Sequence, residues 1–421
     1  MKISYWEKAD NSGMLYPLIL TLSTQSNFEF CVCLSSKVDP EKLKDALEKT
    51  YDRFKFAKVE LQNNLFRSCF VENNQEVVVH ESKGKLLGRI DFQKNNDYLV
   101  EVSFVDNEIR FKFFHALSDA NGALIFVRYL LIEYAKNEGI AVVNDNDDEK
   151  EGEHENAYQR YFDKSISNKG LIANAKSSAL QVKGKFFRHD GLGFICGELP
   201  LDEVRKVAKK HNATVTVFLG ALLMLTVNEL YGDGKQKPSL FIPVNLRKFF
   251  PSNTLLNFVS SAKCVLPPDI DDLTKTIELL KKSLADELST ENLKKSLVLA
   301  STVANNPVTK FCPFFLKREL ITLGREFVTK CTQTMILSNV GSIDLPEELS
   351  SLVSSVYFYL NCNRRTPVNT SVSSYNGVLS ICFTRHIVDK KIERLFFEKL
   401  RDLGLNAEIH SNFRENDYDL R

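Results

Sequence analysis

FKFFHALSDANGALIF, Phe111 to Phe126, is the stretch on which the reading of this chain turns. The segment EIRFKFFHA alternates at period two, so Ile109, Phe111, Phe113 and His115 share one face of a strand. The opposite face carries Arg110 and Lys112, cations expected to reach for water, and then Phe114. His115 therefore stands at the end of the buried face. Desolvation there favours the neutral imidazole, the form that can accept a proton. The turn Ser118–Asp119–Ala120–Asn121–Gly122 follows, with several acceptors able to orient the ring. GALIFVRYLLIEYAK then reads as a largely buried helix. A satisfied core histidine is the commoner occupant of such a place. Asp119 or Asn121 could equally be a plain helix cap.

Working outward, the chain of 421 residues suits two domains or one large two-lobed one. Hydrophobic residues make up 43%, and 30 are phenylalanine, enough for deep cores. Lys and Arg number 55 against 54 Asp and Glu, so net charge gives no reason to expect nucleic acid or an anionic membrane as partner. Nine cysteines occur without a CxxC pair; Cys31 and Cys33 are nearest, side by side on one strand face. That usage leads to the expectation of a reducing compartment. The start MKISYWEKADNSG has no apolar signal region. The longest apolar run, Val215 to Val227, is too short for a bilayer, which takes about 20 residues. A cytoplasmic protein without a transmembrane segment is the expectation.

Strand and helix patterns alternate along both halves. FEFCVCLS (Phe28–Ser35) reads as a strand. VDPEKLKDALEKTYDRF reads as a helix capped by Asp39, with Pro40 in its first turn. DNDDEKEGEHENA (Asp145–Ala157) is acidic and aperiodic and reads as a linker. Lys150 stands where a calcium loop needs glycine, which removes that possibility. Beyond it come two helices, two strands, a mostly helical stretch from about Asp271 to Lys330 broken at Pro307 and Pro313, and further strands. Asn376–Gly377 marks a hairpin between them, and an amphipathic helix comes last. The expected fold class is α/β, as two layers of sheet and helix in each of two lobes. The expected boundaries are 1–143 for the first lobe, 144–185 for linker and crossover, and 186–421 for the second lobe. No GxSxG elbow, phosphate loop, HExxH or Cys/His cluster is present, so no metal is expected.

His115-Ala-Leu-Ser-Asp119-Ala-Asn-Gly122 resembles the HxxxD motif of the chloramphenicol-acetyltransferase-like superfamily. That superfamily includes plant alcohol acyltransferases, nonribosomal-peptide condensation domains and a bacterial alcohol-acetyltransferase-like branch. YWEKAD near the start and IPVNLRKFFPSNTLLNF (Ile242–Phe258) are similar to the bacterial branch. SNVGSIDLPEEL (Ser338–Leu349) resembles the segment that carries DFGWG in plant members. The resemblance implies two lobes, each a mixed sheet backed by helices, with a tunnel between them. It implies acyl transfer from an acyl-CoA thioester to an alcohol or amine, with His115 as general base and coenzyme A as co-substrate rather than bound cofactor. Asp119 and Arg247 would form a structural clamp across the lobes, a bidentate pair. Ser338, Asn339 and Asn257 are the candidates for oxyanion or substrate contacts. Gly122 keeps the motif turn. Two departures stand out: Phe114 replaces the first of two histidines found in condensation domains, and Ala120 replaces the usual glycine, which would alter the turn. Alternatives are a condensation-like enzyme with an acyl carrier protein as partner, or a small-molecule-binding relative with impaired catalysis.

Overall fold

The opening half is built around the phenylalanine strand. In order, it contains β1 (Trp6–Lys8), β2 (Asn27–Leu34), α1 (Pro40–Arg53), β3 (Val59–Asn63), β4 (Ser68–Glu72), β5 (Val79–Glu81), β6 (Val100–Val105), β7 (Glu108–Phe114) and α2 (Ala120–Asn137). The computed structural model describes residues 6–8, 26–66, 68–82, 86–143, 148–163, 165–166, 179–188, 191–305, 312–313, 316 and 332–412. Asp39 caps α1, its Oδ1 accepting from the N–H groups of Glu41 and Lys42. The helix buries Leu43, Ala46, Leu47 and Tyr51. These meet Phe28, Phe30, Val32, Ile109, Phe111 and Phe113 from the inner faces of β2 and β7, and Phe126 and Leu130 from α2, in one core. Each fully buried phenylalanine contributes roughly 1.5–3 kcal/mol through apolar surface removed from water.

The second half contains α3 (Ala157–Arg160), β8 (Gly193–Pro200), α4 (Leu201–Lys210), α5 (Val215–Tyr231), β9 (Ser239–Asn245), β10 (Val259–Val265), α6 (Leu273–Glu287) and α7 (Thr290–Asn305). It continues with β11 (Met335–Ser342), β12 (Val353–Leu360), β13 (Val368–Tyr375), β14 (Val378–Arg385), α8 (Lys391–Asp402) and β15 (Glu408–Ser411). Seven strands form its sheet in the order β10-β9-β11-β13-β14-β8-β15. The hydrophobic helix α5 packs on that sheet with α6 and α8, and its middle is buried on every side. The β13–β14 hairpin turns at Asn376 and Gly377, with φ of 45° and 77°, the left-handed pair that a two-residue hairpin requires. Pro307 lies outside the described residues. Among those described, no single helix is long and apolar enough to cross a membrane.

Four features depart from the sequence reading. First, β12 lies in the expected second lobe by sequence but completes the sheet of the first, whose order is β12-β2-β7-β6-β5. Its Val353, Val356 and Phe358 enter the first core, and it covers the edge of β2 that would otherwise be exposed. Second, Arg110 and Lys112 do not face water; they are 7% and 6% exposed. Leu87, Phe194 and Cys196 pack over that sheet face, and the cations are matched in place by Glu108 and Glu101. Third, Cys196 and Cys382 lie directly opposite each other on β8 and β14 and are joined by a disulfide. Their separation of 186 residues hides the pairing from any spacing rule, and it removes the ground on which a reducing compartment was expected.

The fourth concerns the acidic linker, described from residue 148 onward. It is a strap rather than a solvated tether. Glu153 is 4% exposed and forms a two-pronged pair with Arg53 of α1, at 3.0 and 2.9 Å. Its carbonyl accepts from Leu255 N–H at 2.7 Å, and the Glu155 carbonyl accepts from the Thr254 hydroxyl at 2.7 Å. Charge density made the segment look solvated; buried partners from both halves hold it down. Glu153→Ala should leave Arg53 buried without its carboxylate and cost about 3 kcal/mol. A urea melt reads this directly, and an unchanged midpoint would show that the strap contributes nothing to stability.

Candidate active site

His115 follows the last residue of β7, where the strand leaves the sheet. Its N–H donates to the Ser26 carbonyl at 2.8 Å, which continues the β2 pairing by one residue. The Phe28 ring stands edge-on to the imidazole, 5.1 Å between centroids. On the other side is Asn257, in the loop between β9 and β10. Its Nδ2 donates to the carbonyls of His115 and Ala116, at 3.0 and 3.3 Å. That fixes the amide orientation and leaves Oδ1 towards the ring, 3.0 Å from Nδ1. An amide oxygen can only accept, so Nδ1 carries the proton and the basic lone pair is on Nε2. Burial lowers the His115 pKa below its ordinary value. The hydrogen bond to its own backbone, the Asp119 charge, Asn257 and the Ser118 backbone pull the other way without overcoming it. The outcome is a neutral imidazole held in one tautomer.

Asp119 is four residues on. It is both the N-cap of α2 and half of an ion pair, so the two roles left open by the sequence coexist. One oxygen accepts from the N–H groups of Asn121 and Gly122, each at 3.0 Å. The other accepts from Arg247 Nη1 and from Phe258 N–H, each at 2.8 Å. Arg247 does not make the bidentate contact that the resemblance implied. It gives one N–H to Asp119 and three more to its own loop: Nε to the Thr254 carbonyl at 2.9 Å, Nη2 to the Leu256 carbonyl at 2.6 Å and Nη1 to Asn245 Oδ1 at 3.3 Å. The loop's backbone curls round the guanidinium and turns the Thr254 and Leu256 carbonyls towards it. Asn245, at the end of β9, starts that curl by accepting from Arg247 N–H at 3.1 Å.

Gly122 is needed, but for close approach rather than for a turn. A Cβ there would run into the Leu255 carbonyl oxygen and Ser118 Oγ. Ser118, fully buried and passed over in the sequence reading, donates to that same carbonyl at 2.6 Å. Ala120 is the first residue of α2, and its φ is negative, so an L side chain meets no backbone penalty there. The expectation that alanine disturbs the turn is therefore not met by the backbone.

The structure thus gathers His115, Asp119, Gly122, Arg247 and Asn257 into one contact set between the halves. Asn257 stands against the imidazole on its Nδ1 side. Ser338 and Asn339 lie on β11. Ser338 is 8% exposed, paired in register with Ser371. Asn339 sits at a bulge, its Nδ2 donating to Thr216 Oγ1 at 2.9 Å and its Oδ1 accepting from Gly341 N–H at 2.8 Å. Both ends of that amide are engaged within the second half.

No family model and no curated protein sequence matches the chain. Solved structures do. One is the trichothecene 15-O-acetyltransferase TRI3 from Fusarium sporotrichioides: TM-score 0.59, 12% identity, 94% of this chain and 93% of that one covered. Another is TRI101 of F. sporotrichioides, solved with coenzyme A and T-2: TM-score 0.61, 11% identity, 96% and 100% covered. A third is the first condensation domain of the calcium-dependent antibiotic synthetase, bound to a substrate analogue: TM-score 0.62, 11% identity, 96% of each chain covered. The chain has the chloramphenicol-acetyltransferase-like fold.

In this chloramphenicol-acetyltransferase-like frame the two lobes touch through the Asp119 carboxylate. Asp119→Asn would set an NH₂ against donors on one side, either Arg247 and Phe258 N–H or the helix N–H groups. Breaking a buried pair from one side costs about 3–5 kcal/mol. The variant should therefore unfold at markedly lower urea than wild type. A midpoint within error of wild type would show that the contact carries no stability.

Proposed function

We propose that the chain is an acyltransferase that moves an acyl group from an acyl-CoA thioester to an alcohol or amine, with His115 as general base. The observation that carries this reading is the fixed tautomer: Asn257 holds Nδ1–H at 3.0 Å, so the basic lone pair sits on Nε2. In this scheme Nε2 takes the proton from the acceptor's O–H or N–H as that atom bonds to the thioester carbonyl carbon. The carbonyl oxygen becomes an oxyanion. Its collapse breaks the C–S bond, and the leaving thiolate takes the proton back from the imidazolium. Every proton is returned, so no metal or redox group enters the balance.

The oxyanion requires a donor. Of the two candidates on β11, the Ser338 hydroxyl is the better one, because the Asn339 amide is already anchored at both ends, one N–H on Thr216 and its oxygen on Gly341 N–H. The likeness to TRI101, solved with coenzyme A, supports coenzyme A as donor carrier. The likeness to a condensation domain supports a carrier-protein-bound donor as the second reading. Phe114, where that resemblance expects a histidine, favours the first.

The test is a thiol-release assay with a panel of acyl-CoA donors and small alcohols or amines. General-base catalysis contributes about 100- to 10,000-fold, so His115→Ala should lose turnover by that factor while remaining folded. Equal turnover in mutant and wild type would exclude His115 as base. Transfer only from acyl carrier protein would select the second reading.

Acid should act later than on an ordinary histidine. With its pKa lowered from 6.5 by burial, His115 stays neutral as pH falls to that value, and kcat/KM should decline only below it. A pH–rate profile whose acid limb lies above 6.5 would contradict a desolvated base.

A further inference from the structure

The outer face of the first sheet carries a constellation that the acyl-transfer scheme does not use. Cys31 and Cys33 alternate on β2 and so project to the same side. Glu108, the first residue of β7, pairs in register with Cys33, and Arg110 pairs with Cys31. The two thiol sulfurs and a Glu108 carboxylate oxygen all lie within 4.8 Å of one another. Cys31 Sγ donates to Glu108 Oε2 at 3.7 Å. Spacing along the chain could not reveal this group, because its third member comes from the neighbouring strand.

We infer that Cys31, Cys33 and Glu108 form a binding site for a thiophilic divalent cation of the zinc class. Ligands on a tetrahedral zinc stand ~3.8 Å apart, as Zn–S bonds of about 2.3 Å require, so small side-chain rotations would close the three donors on one ion. Two thiolates and a carboxylate are the donor types zinc prefers. Arg110 holds the carboxylate through the same oxygen that Cys31 reaches, its Nε and Nη2 both donating to Glu108 Oε2 at 3.0 and 2.6 Å. Outer contacts of that kind fix the direction of a ligand. Charge also closes: two thiolates and one carboxylate carry three negative charges, matched by a divalent ion and the Arg110 guanidinium. Binding exchanges the two thiol protons for the ion, with no oxidant or reductant involved.

Cys31 is buried against Phe194, Cys196 and Tyr359, whereas Cys33 and Glu108 are half-exposed. The fourth ligand position would therefore face outward and be filled by water or an added ligand. Glu108 stands at the opposite end of β7 from His115, seven residues or ~23 Å along the strand. The ion would fasten β2 to β7 and leave the imidazole untouched.

The experiment titrates the chelator-stripped full chain, kept reduced with a phosphine, with zinc chloride against a chromophoric chelator. One zinc per chain is expected. The cobalt(II) form should show sulfur-to-metal charge-transfer absorption. Cys33→Ser, a near-isosteric change at a half-exposed position, should weaken zinc binding by more than about 100-fold, beyond the loss typical of a group that only orients a ligand. Glu108→Gln should weaken it as well, and both variants should keep the wild-type circular dichroism spectrum. Cys196→Ser/Cys382→Ser, which removes the thiols that the phosphine frees, should bind zinc as wild type does. No stoichiometric zinc, binding unchanged in Cys33→Ser, or binding lost only in the Cys196/Cys382 variant would each overturn the assignment.

Discussion

The carboxylate of Asp119 holds the two halves in register. Four donors converge on it: two N–H groups at the start of α2, the Arg247 guanidinium and the Phe258 N–H. A carboxylate has about four lone-pair sites, so this one is saturated. Its satisfaction explains how a charge only 1% exposed can persist in the interior. The same contact sets the distance between α2 and the 245–258 loop. Gly122 and Ser118 follow from that distance: one leaves room for the Leu255 carbonyl, and the other donates to it.

His115 depends on this arrangement without touching the ion pair's partner. The loop that wraps Arg247 also delivers Asn257, and Asn257 decides which nitrogen of the imidazole is basic. The strap from Glu153 to Glu155 holds the loop from the far side and ties it to α1 through Arg53. Positioning of the histidine is thus shared among elements widely separated in sequence. Apolar burial supplies the low pKa, and hydrogen bonds supply the tautomer.

The first sheet is occupied on both faces. One face is the phenylalanine core. The other holds Glu29, Arg110 and Lys112 under a cover that includes Phe194 and Leu87, with Glu101 and the half-exposed Glu108 beside them. Glu29 accepts from Leu87 N–H at 2.6 Å, and its pKa is raised by burial against the opposing pull of Lys112. The cations in this layer survive because each has a carboxylate beside it: Arg110 has Glu108 two residues earlier on β7, and Lys112 has Glu101 on β6. The thiol pair belongs to this layer.

Local pattern determined much of the fold. Period two in EIRFKFFHA, the Asp39 cap and the Asn376–Gly377 turn are set by neighbours in sequence, through side-chain alternation, an orphan helix N–H and left-handed φ. His115 and Asp119 were legible for the same reason, since they fall within one turn of each other. Arg247 needed the resemblance as well. The rest depended on which segments meet. Nothing local shows which way the Asn257 amide points; only the carbonyls of His115 and Ala116 decide it. The burial of Arg110, Lys112 and Glu153, the place of β12 in the first sheet and the Cys196–Cys382 bond are likewise matters of partner. Polarity read along a chain predicts exposure only while the partner is water. In this tertiary structure the partner is another charge, a carbonyl or a sulfur, and sequence distance carries no record of it.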